Sequence, residues 1–393
     1  MTKFVSLPLS AKQLISKARA DTGIDIVDED VVEALTVLVK SFNEEAGLHE
    51  VGAMELQIRI LQMLKNRLRM FRDFRDHPQI GEQEVNAPIM ILGTLRTGST
   101  KLQRVLSESG DFNWLPYWKA HNFASVTGKP DEDVSLRIAE VDASMAYNQK
   151  MSPEIQAAHE QGTHLPDEET MIAMQSFRSS AWFGYGNIPG YLQWVSQQDI
   201  TSTYELLLDA LKYLQWQGLA TPSKRWILKS PFNLGLEDVV KKIFPGAYFV
   251  ITHRPPAQTL PSLFNLLAAL YKCHTDNPQI DHRAMMMGQT MTLERHIQVR
   301  EANPGIPILD VHYKDSITDI EKVIRCVYAF AGQALSKESL QRMSNWNAGN
   351  PIHKHGARKY SLADFDITEE EVTGQCPNYM AWRFQRPSAE SEA

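Results

Sequence analysis

An apolar run that stops at a glycine-bounded loop constrains the fold of this chain more than any other feature. The run, residues 88–92, is short and continuous, as expected of a strand buried on both faces of a parallel sheet. Gly93 ends the run, and Leu102, Val105 and Leu106 have the spacing of a following helix. Backbone N–H groups in such a loop, together with the helix N-terminus, favour negative charge. The junction therefore predicts an anion-binding strand–loop–helix unit.

The same alternation of strand and helix recurs later in the chain. Strand-like apolar runs lie at residues 226–228, 247–251 and 306–311. Helical spacing of apolar residues follows at 236–244 and 317–327. This order predicts an α/β fold of the P-loop type, with a mostly parallel sheet flanked by helices.

We interpret residues 1–393 as a single domain with three parts. Residues 1–86 read as a helical N-terminal segment, and residues 87–345 as the α/β core. The core carries a mainly helical insertion at about residues 111–220, and residues 346–393 form a C-terminal segment. Five of the eight tryptophans lie in the insertion, where they either line a pocket or fill an ordinary core.

Charge and cysteine content exclude several classes of protein. Lys and Arg number 40 and Asp and Glu 47, so the net charge of −7 gives no general attraction to nucleic acid. The three cysteines, without a CxxC pair, exclude a disulfide framework and a cysteine zinc site, and we expect no bound metal. The first residues lack the apolar core of a signal peptide, and no uninterrupted apolar run reaches 18 residues. We therefore expect a soluble, cytoplasmic protein without a membrane span.

The loop matches the spacing of a phosphate-binding P-loop, GxxxxGK[ST], with one substitution. Ser99 stands where the lysine belongs, and the basic residue lies three places earlier, at Arg96. Without that lysine the loop holds an anion but is poorly suited to magnesium-assisted phosphoryl transfer. On spacing alone, an ordinary strand–helix turn of small residues remains an alternative.

Further motifs follow in a fixed order. Lys229-Ser230-Pro231 follows the second strand, a Phe-Pro-Gly-Ala turn occupies residues 244–247, and Ser262 comes eight residues after Arg254. Together with the loop, these motifs resemble the PAPS-dependent sulfotransferases, whose members bind 3′-phosphoadenosine 5′-phosphosulfate (PAPS). The Arg-containing loop and the Leu-Lys-Ser-Pro strand are similar to those of the bacterial branch. The resemblance extends from about residue 30 to residue 385.

The resemblance implies which residues bind PAPS. Arg254 and Ser262 match the pair that binds the 3′-phosphate. Lys229 is a second cation for the phosphosulfate, unless it is a strand-end lysine that faces solvent. The loop residues implied at the 5′-phosphosulfate are Arg96, Thr97, Gly98, Ser99 and Thr100. A late loop that closes over the 3′-phosphate corresponds to Lys354, His355 and Gly356, although the family usually has Arg-Lys-Gly there.

Sulfuryl transfer to a hydroxyl also needs a general base. His159 lies 63 residues after Arg96, roughly the distance that separates the loop lysine from the catalytic histidine in the family. We expect His159 to be the base and Arg96 and Lys229 to stabilise the developing charge. Residues that compete with His159 for the role of base are His121, His164, Glu168 and Glu169.

The sequence thus predicts an enzyme that moves a sulfuryl group from PAPS to an alcohol or phenol of a small molecule or lipid, leaving PAP and a sulfate ester. No nucleic-acid partner is expected, and homo-oligomerisation is left open. The alternatives are a P-loop kinase and a non-catalytic nucleotide-binding protein. Against the kinase, no strand ends in the acidic residue that would hold magnesium, because Asp310 lies in the middle of its strand.

Overall fold

Helices make up most of the structure, and they surround a parallel sheet whose strands lie far apart in the sequence. The computed structural model describes residues 7–26, 28–151, 160–351 and 360–385. The chain divides into two compact units. The first comprises Met1–Asn86, Asn113–Arg225 and Leu266–Gln279, and the second Ala87–Phe112, Trp226–Asn265 and Ile280–Ala393.

The elements run as follows. The strands are β1 (Ile89–Leu92), β2 (Asn113–Trp114), β3 (Trp226–Lys229), β4 (Tyr248–His253) and β5 (Ile308–His312). The described helices are α1 (Ala11–Thr22), α2 (Glu29–Glu44), α3 (Glu50–Asp76), α4 (Ser99–Ser107), α5 (Tyr117–His121), α6 (Ser135–Met151), α7 (Thr170–Ala173), α8 (Pro189–Val195), α9 (Thr201–Trp216), α10 (Glu237–Ile243), α11 (Pro256–Lys272), α12 (His282–Ala302), α13 (Tyr313–Thr318), α14 (Ile320–Phe330), α15 (Lys337–Gly349), α16 (Glu369–Gln375) and α17 (Pro377–Met380). Short 3₁₀ turns lie at Pro78–Ile80, Met174–Ser176, Ser180–Tyr185, Pro231–Asn233 and Leu362–Phe365, and a π-helical turn lies at Ala381–Gln385.

The sheet of the second unit has the strand order β3-β1-β4-β5, and all three pairings are parallel. The prediction of an α/β fold with a parallel sheet is therefore confirmed. All four residues of β1 are buried, as its continuous apolar sequence requires for a central strand. Because the strands are parallel, their carboxyl ends lie at one edge of the sheet, where ligands of such folds bind.

One face of this sheet packs against helices of the second unit. Alternate residues Ile89 and Ile91 of β1 join the apolar faces of α4 and α14 in a single buried cluster. Leu102, Val105 and Leu106, predicted as one helix face, belong to this cluster. Burying apolar side chains at about 25 cal/mol per Å² is the main stabilising contribution to such a core.

The first unit is helical. The hydroxyl of Ser10 caps α1 by accepting the backbone N–H of Gln13, and Gly23 ends the helix with φ 67°. His49 caps α3, since its Nδ1 accepts the N–H of Gly52 at 2.8 Å. Helix α1 packs against both α2 and α3. The helical N-terminal segment and the mainly helical insertion agree with expectation, although β2 interrupts the insertion.

Several boundaries differ from expectation by one or two residues; β4, for example, runs to His253 rather than to residue 251. The last strand begins at Ile308 rather than at residue 306. The helix expected over residues 317–327 is two helices, because Asp319 adopts an extended φ of −150° and its side chain accepts the N–H of Lys322. Asp319 therefore starts a new helix. In the residues that the structure describes, none of the helices has the length and apolar character needed to cross a membrane.

Candidate functional site

The loop after β1 folds back through three residues with positive φ. Gly93 has φ 147°, and a Cβ on it would lie 2.6 Å from the carbonyl oxygen of Thr252. Gly98 has φ 91°, and a Cβ there would lie 2.9 Å from the ring of Tyr313. Arg96 has φ 72°, which costs a non-glycine residue on the order of 1–2 kcal/mol. The tight packing of the loop explains why these glycines are needed.

Helix α4 begins directly at this loop. Its N-cap is Gly98, which offers no side chain to cap the helix. The N–H groups of the first turn therefore carry partial positive charge that a ligand can satisfy. Ser99 is buried and Thr100 half-buried at this end of the helix. The start of α4 is thus suited to an anion.

The hydroxyl of Thr97 serves the loop itself. It donates to the carbonyl of Thr94 at 2.8 Å and lies 2.7 Å from the hydroxyl of Thr252, which in turn donates to the carbonyl of Leu92. Thr97 is buried. We expected this hydroxyl at the phosphosulfate. In the structure, it connects the loop to β4 through Thr252.

Arg96, Arg254 and Ser262, separated by up to 166 residues, meet at one place. The Nε of Arg96 donates to the hydroxyl of Ser262 at 3.0 Å. An Nη1 of Arg254 donates to the backbone carbonyl of Arg96 at 3.3 Å. Arg254 directly follows β4, and Ser262 lies two turns into α11, as the sequence predicted. The residues expected at the 5′-phosphosulfate and those expected at the 3′-phosphate therefore lie in contact with each other in the structure.

Two guanidinium groups in one place produce a strongly positive site. Burial is the largest influence that lowers the pKa of Arg96, and the neighbouring cation of Arg254 lowers it further. Among the described residues, Arg254 forms no ion pair with a carboxylate, and its side chain contacts Gln258, the Arg96 carbonyl and the Tyr313 ring. An anion bound here would relieve the repulsion between the two cations.

Sequence reasoning missed Tyr313. Its ring lies 4.3 Å from the guanidinium of Arg254 and also limits the space at Gly98. An arginine stacked on an aromatic face keeps its position and its charge. Tyr313 directly follows β5, as Arg254 follows β4. That equivalent position at a strand end was the signal that could have indicated it.

Lys229 ends β3, and its side chain is only 2% exposed. A strand-end lysine facing solvent is therefore excluded. Its residue is paired with Ile91 in the register of β3 and β1, one position before β1 ends. Burial of a lysine is costly unless the amine has polar or charged neighbours. The position places Lys229 at the same edge of the sheet as the loop.

The candidate bases lie in the first unit or outside the described residues. His159, Lys354, His355 and Gly356 fall in the segments that the structure does not describe. The ring of His121 stacks on Tyr117 at 3.9 Å, and its Nε2 lies 3.6 Å from Oδ2 of Asp167. Burial is the main influence on the pKa of His121 and lowers it.

The other carboxylates and histidines of this segment differ in exposure. His164 is exposed, whereas Glu169 is buried. Glu168 accepts a hydrogen bond from the hydroxyl of Thr170 at 3.2 Å.

Asp310 is the acidic residue that a kinase reading would need for magnesium. Its carboxylate instead accepts hydrogen bonds from Nε2 of His253 and from Arg300, each at 2.9 Å. A carboxylate committed to two such donors is poorly available to a metal ion. In the described part of the chain, no group of three or more His, Cys, Asp or Glu side chains is arranged to hold a metal.

The fold and the site define an α/β protein that presents a cationic strand–loop–helix unit to an anionic ligand. The chain belongs to the sulfotransferase family, whose family model matches residues 88–337. It is thus a sulfotransferase, an enzyme of sulfuryl transfer. The chain is similar to two solved structures from mycobacteria. No curated protein matches the sequence.

The two structures match over nearly their whole length. The sulfotransferase STF1 from Mycobacterium tuberculosis H37Rv is 25% identical with a TM-score of 0.78, and the match covers 95% of this chain and 100% of that one. The sulfotransferase STF9 from Mycobacterium avium is 23% identical with a TM-score of 0.84, covering 97% and 98%. The second likeness concerns the fold alone.

Proposed function

We propose that the protein transfers a sulfuryl group from PAPS to a hydroxyl of a small-molecule or lipid acceptor, and releases PAP and a sulfate ester. One observation above all supports this: the loop before α4, Arg254 and Ser262 meet at the carboxyl ends of β1 and β4. PAPS carries a 5′-phosphosulfate and a separate 3′-phosphate, so it needs two cationic grips. The two arginines of this site meet that requirement.

On the donor side, we assign the 5′-phosphosulfate to the N–H groups at the start of α4, with Arg96 and Lys229 as cations. In the reaction, the acceptor oxygen forms a bond to sulfur while the bond from sulfur to the phosphate oxygen breaks. The electron pair of that bond leaves on PAP, so negative charge develops on the former bridging oxygen. A guanidinium held beside that oxygen stabilises the transition state electrostatically. Arg96 is too weak an acid to protonate it.

We assign the 3′-phosphate to Arg254 and Ser262. Tyr313 orients Arg254 without neutralising it, because the contact between them is a cation–π contact of 4.3 Å. Lys354, His355 and Gly356 complete this grip in the proposal, on the resemblance alone.

On the acceptor side, a base takes the hydroxyl proton as the new bond to sulfur forms. We assign this role to His159. The described alternative is His121, whose Nε2 lies 3.6 Å from a carboxylate oxygen of Asp167. A carboxylate beside an imidazole orients the ring and stabilises the imidazolium that forms.

The proposal is tested with PAPS and adenosine 5′-phosphosulfate, which differ only in the 3′-phosphate. Arg254→Ala and Ser262→Ala should each weaken binding of PAPS, by about 10- to 100-fold for the arginine, which loses a charge-assisted contact. Binding of adenosine 5′-phosphosulfate should change little. Calorimetric titration measures both, and transfer of radiolabelled sulfate to a panel of alcohols and phenols measures activity.

The matched control is Arg325→Ala, which removes an exposed arginine of the same unit that pairs with Glu321. It should alter neither affinity. Equal loss of both ligands in Arg254→Ala would show that this residue does not read the 3′-phosphate. Binding of ATP but not of PAPS by the unaltered protein would overturn the proposed function.

A further inference from the structure

The strands β4 and β5 each end in a histidine that precedes a residue of the proposed nucleotide site. His253 and His312 are partners in the register of the two strands. The next residues are Arg254 and Tyr313, whose side chains stack at 4.3 Å. Any shift of one strand end against the other therefore changes the position of the Arg254 guanidinium.

Both ring nitrogens of His253 are hydrogen-bonded. Nε2 lies 2.9 Å from Oδ1 of Asp310, and Nδ1 lies 2.8 Å from the hydroxyl of Tyr379. Burial alone would raise the pKa of the Asp310 carboxyl, but hydrogen bonds from His253 and Arg300 outweigh it and hold that pKa well below its usual range. The ionised Asp310 is a pure acceptor, so Nε2 of His253 carries the proton and Nδ1 accepts from Tyr379.

Burial is the largest influence on the pKa of His253 and lowers it to about 4. The ring is therefore neutral near pH 7, with its tautomer and its orientation both fixed by these two partners. The side chains of His253 and Tyr379 are each about 1% exposed. Neither residue can touch a substrate, so any role in the reaction is indirect.

Tyr379 belongs to a short segment near the described end of the chain, residues 377–385, which we call the C-terminal turn. The turn reaches both strand ends: Tyr379 bonds His253, and the ring of Phe384 lies 5.8 Å from that of His312. The Tyr379 and Phe384 rings also contact each other, at 5.8 Å. Between them, Trp382 lies 5.6 Å from the ring of His253.

The C-terminal turn is also fastened to α12, in addition to its contacts with the two strand ends. Oε1 of Glu294 accepts the backbone N–H of Tyr379 at 3.0 Å, and Oε2 accepts the side-chain amide of Asn378 at 2.7 Å. The guanidinium of Arg300 lies 4.7 Å from the ring of Trp382 and also donates to Asp310. The turn is therefore a fixed support against which both strand ends rest.

We propose that the C-terminal turn sets the position of Arg254 through His253, and that Tyr379 is thereby a positioning residue for recognition of the 3′-phosphate. This inference rests on the proposed function, since it assigns the 3′-phosphate to Arg254. The contact that carries it is the hydrogen bond between Tyr379 and Nδ1 of His253, one residue before Arg254.

The test is Tyr379→Phe, which removes the hydroxyl and keeps the ring. The KM for PAPS should rise by about three- to ten-fold, as the loss of one neutral hydrogen bond allows, while kcat at saturating PAPS stays unchanged. Affinity for adenosine 5′-phosphosulfate should stay unchanged, because that ligand does not use Arg254. Phe384→Leu, at the other strand end, should show the same selectivity with a smaller effect.

The matched control is Tyr328→Phe in α14. Tyr328 is also about 1% exposed and its hydroxyl bonds Asp111 at 2.8 Å, and neither residue belongs to the proposed nucleotide site. This variant should lower stability to a similar extent without changing the KM for PAPS. The inference is overturned if Tyr379→Phe leaves the KM for PAPS unchanged or weakens both nucleotides equally. Failure of the proposed function is distinct, since the unaltered protein would then not bind PAPS.

Discussion

Two arginines, one in each unit, are held in opposite ways. In the first unit, Arg59 donates to Glu55 at 3.0 Å and stacks on Tyr185 at 4.7 Å. In the second unit, Arg254 contacts an amide, a carbonyl and an aromatic ring, with no carboxylate partner among the described residues. The comparison indicates that an arginine used for packing is neutralised inside the protein. An arginine oriented by neutral groups keeps its charge for a ligand.

The pKa values follow the same division. Burial would lower the pKa of Arg59, but its interactions with Tyr185 and Glu55 outweigh burial and raise it. Burial would raise the pKa of Glu55, yet hydrogen bonds with His274 and the charge of Arg59 lower it to about 2. The ring of His274 lies beside this pair, with its Nε2 2.6 Å from Oε2 of Glu55. In the second unit, Arg96 has a lowered pKa instead, from burial and from Arg254.

The largest effect is expected from removing the proposed base, which tests whether the first unit supplies it. His159→Ala should lower kcat by about 10²–10⁴ and remove the acidic limb of the pH–rate profile, with PAP affinity intact. Acidic phenols should lose least, because they need little help in losing a proton. The measurement is kcat against pH with an aliphatic alcohol and a phenol.

His121→Ala serves as the comparison for this prediction. A base must be deprotonated, so activity rises as pH passes its pKa. Since burial lowers the pKa of His121, a limb due to that residue would lie below the usual histidine range. If His121→Ala removes the limb and His159→Ala does not, the base is His121.

Arg96→Ala should have the next largest effect. The residue stabilises charge that appears as the bridging bond to sulfur breaks, so kcat should fall by about 10²–10³ and the KM for PAPS should rise less. Arg96→Lys should restore part of the rate, without the two-pronged contact of a guanidinium. Single-turnover kinetics separates the two parameters. A loss confined to KM would place Arg96 in binding alone.

The ion pair between Arg59 and Glu55 in the first unit should affect stability rather than binding. The pKa of Glu55 is lowered in the folded state. Its contribution to the free energy of unfolding is therefore present above the unfolded pKa of about 4.5 and is lost as pH falls toward about 2. Glu55→Gln should therefore reduce the steepness of acid destabilisation, with PAPS affinity near pH 7 unchanged. Urea unfolding at several pH values measures this. Glu321→Gln, which removes an exposed partner of Arg325, should leave the slope as it is.

The smallest expected effect is a difference in salt dependence between the site of Arg254 and the ion pair of Arg59. Raising ionic strength from about 0.05 to about 0.5 M should weaken PAPS binding by roughly three- to ten-fold, because a partly exposed cationic site is screened. The acid destabilisation assigned to Glu55 should hardly move, since its charge already has a partner 3.0 Å away in Arg59 and both side chains are less than a fifth exposed. Isothermal titration and acid unfolding at both salt concentrations compare them. Equal sensitivity would contradict the distinction drawn between the two regions.

Local pattern was enough to predict the frame of the site. The apolar runs predicted β1, β3, β4 and β5 to within two residues, because continuous apolar sequence is what a central parallel strand requires. The loop at Arg96 was recognisable since glycines and a following helix lie in adjacent positions. Its strained φ of 72° was not, because nothing in the residue type arginine indicates it.

What sequence reasoning missed depends on pairing across the fold. Tyr313 meets Arg254 only because β5 lies beside β4 in a particular register. The bond between Tyr379 and His253 joins residues 126 positions apart. The internal use of the Thr97 hydroxyl likewise depends on Thr252, which β4 brings to the loop. Such contacts leave no periodic signal in a single sequence.

The division of the chain bears on how such a protein can be inherited and handled. Each unit consists of three separate stretches, and the stretches of one alternate with those of the other. No contiguous fragment of residues 1–279 contains the whole first unit without also containing two stretches of the second. A genetic crossover or an expression boundary placed between residues 87 and 279 therefore divides both units at once. Exchange of either unit between related genes requires several coordinated junctions, so the two units are expected to be passed on together.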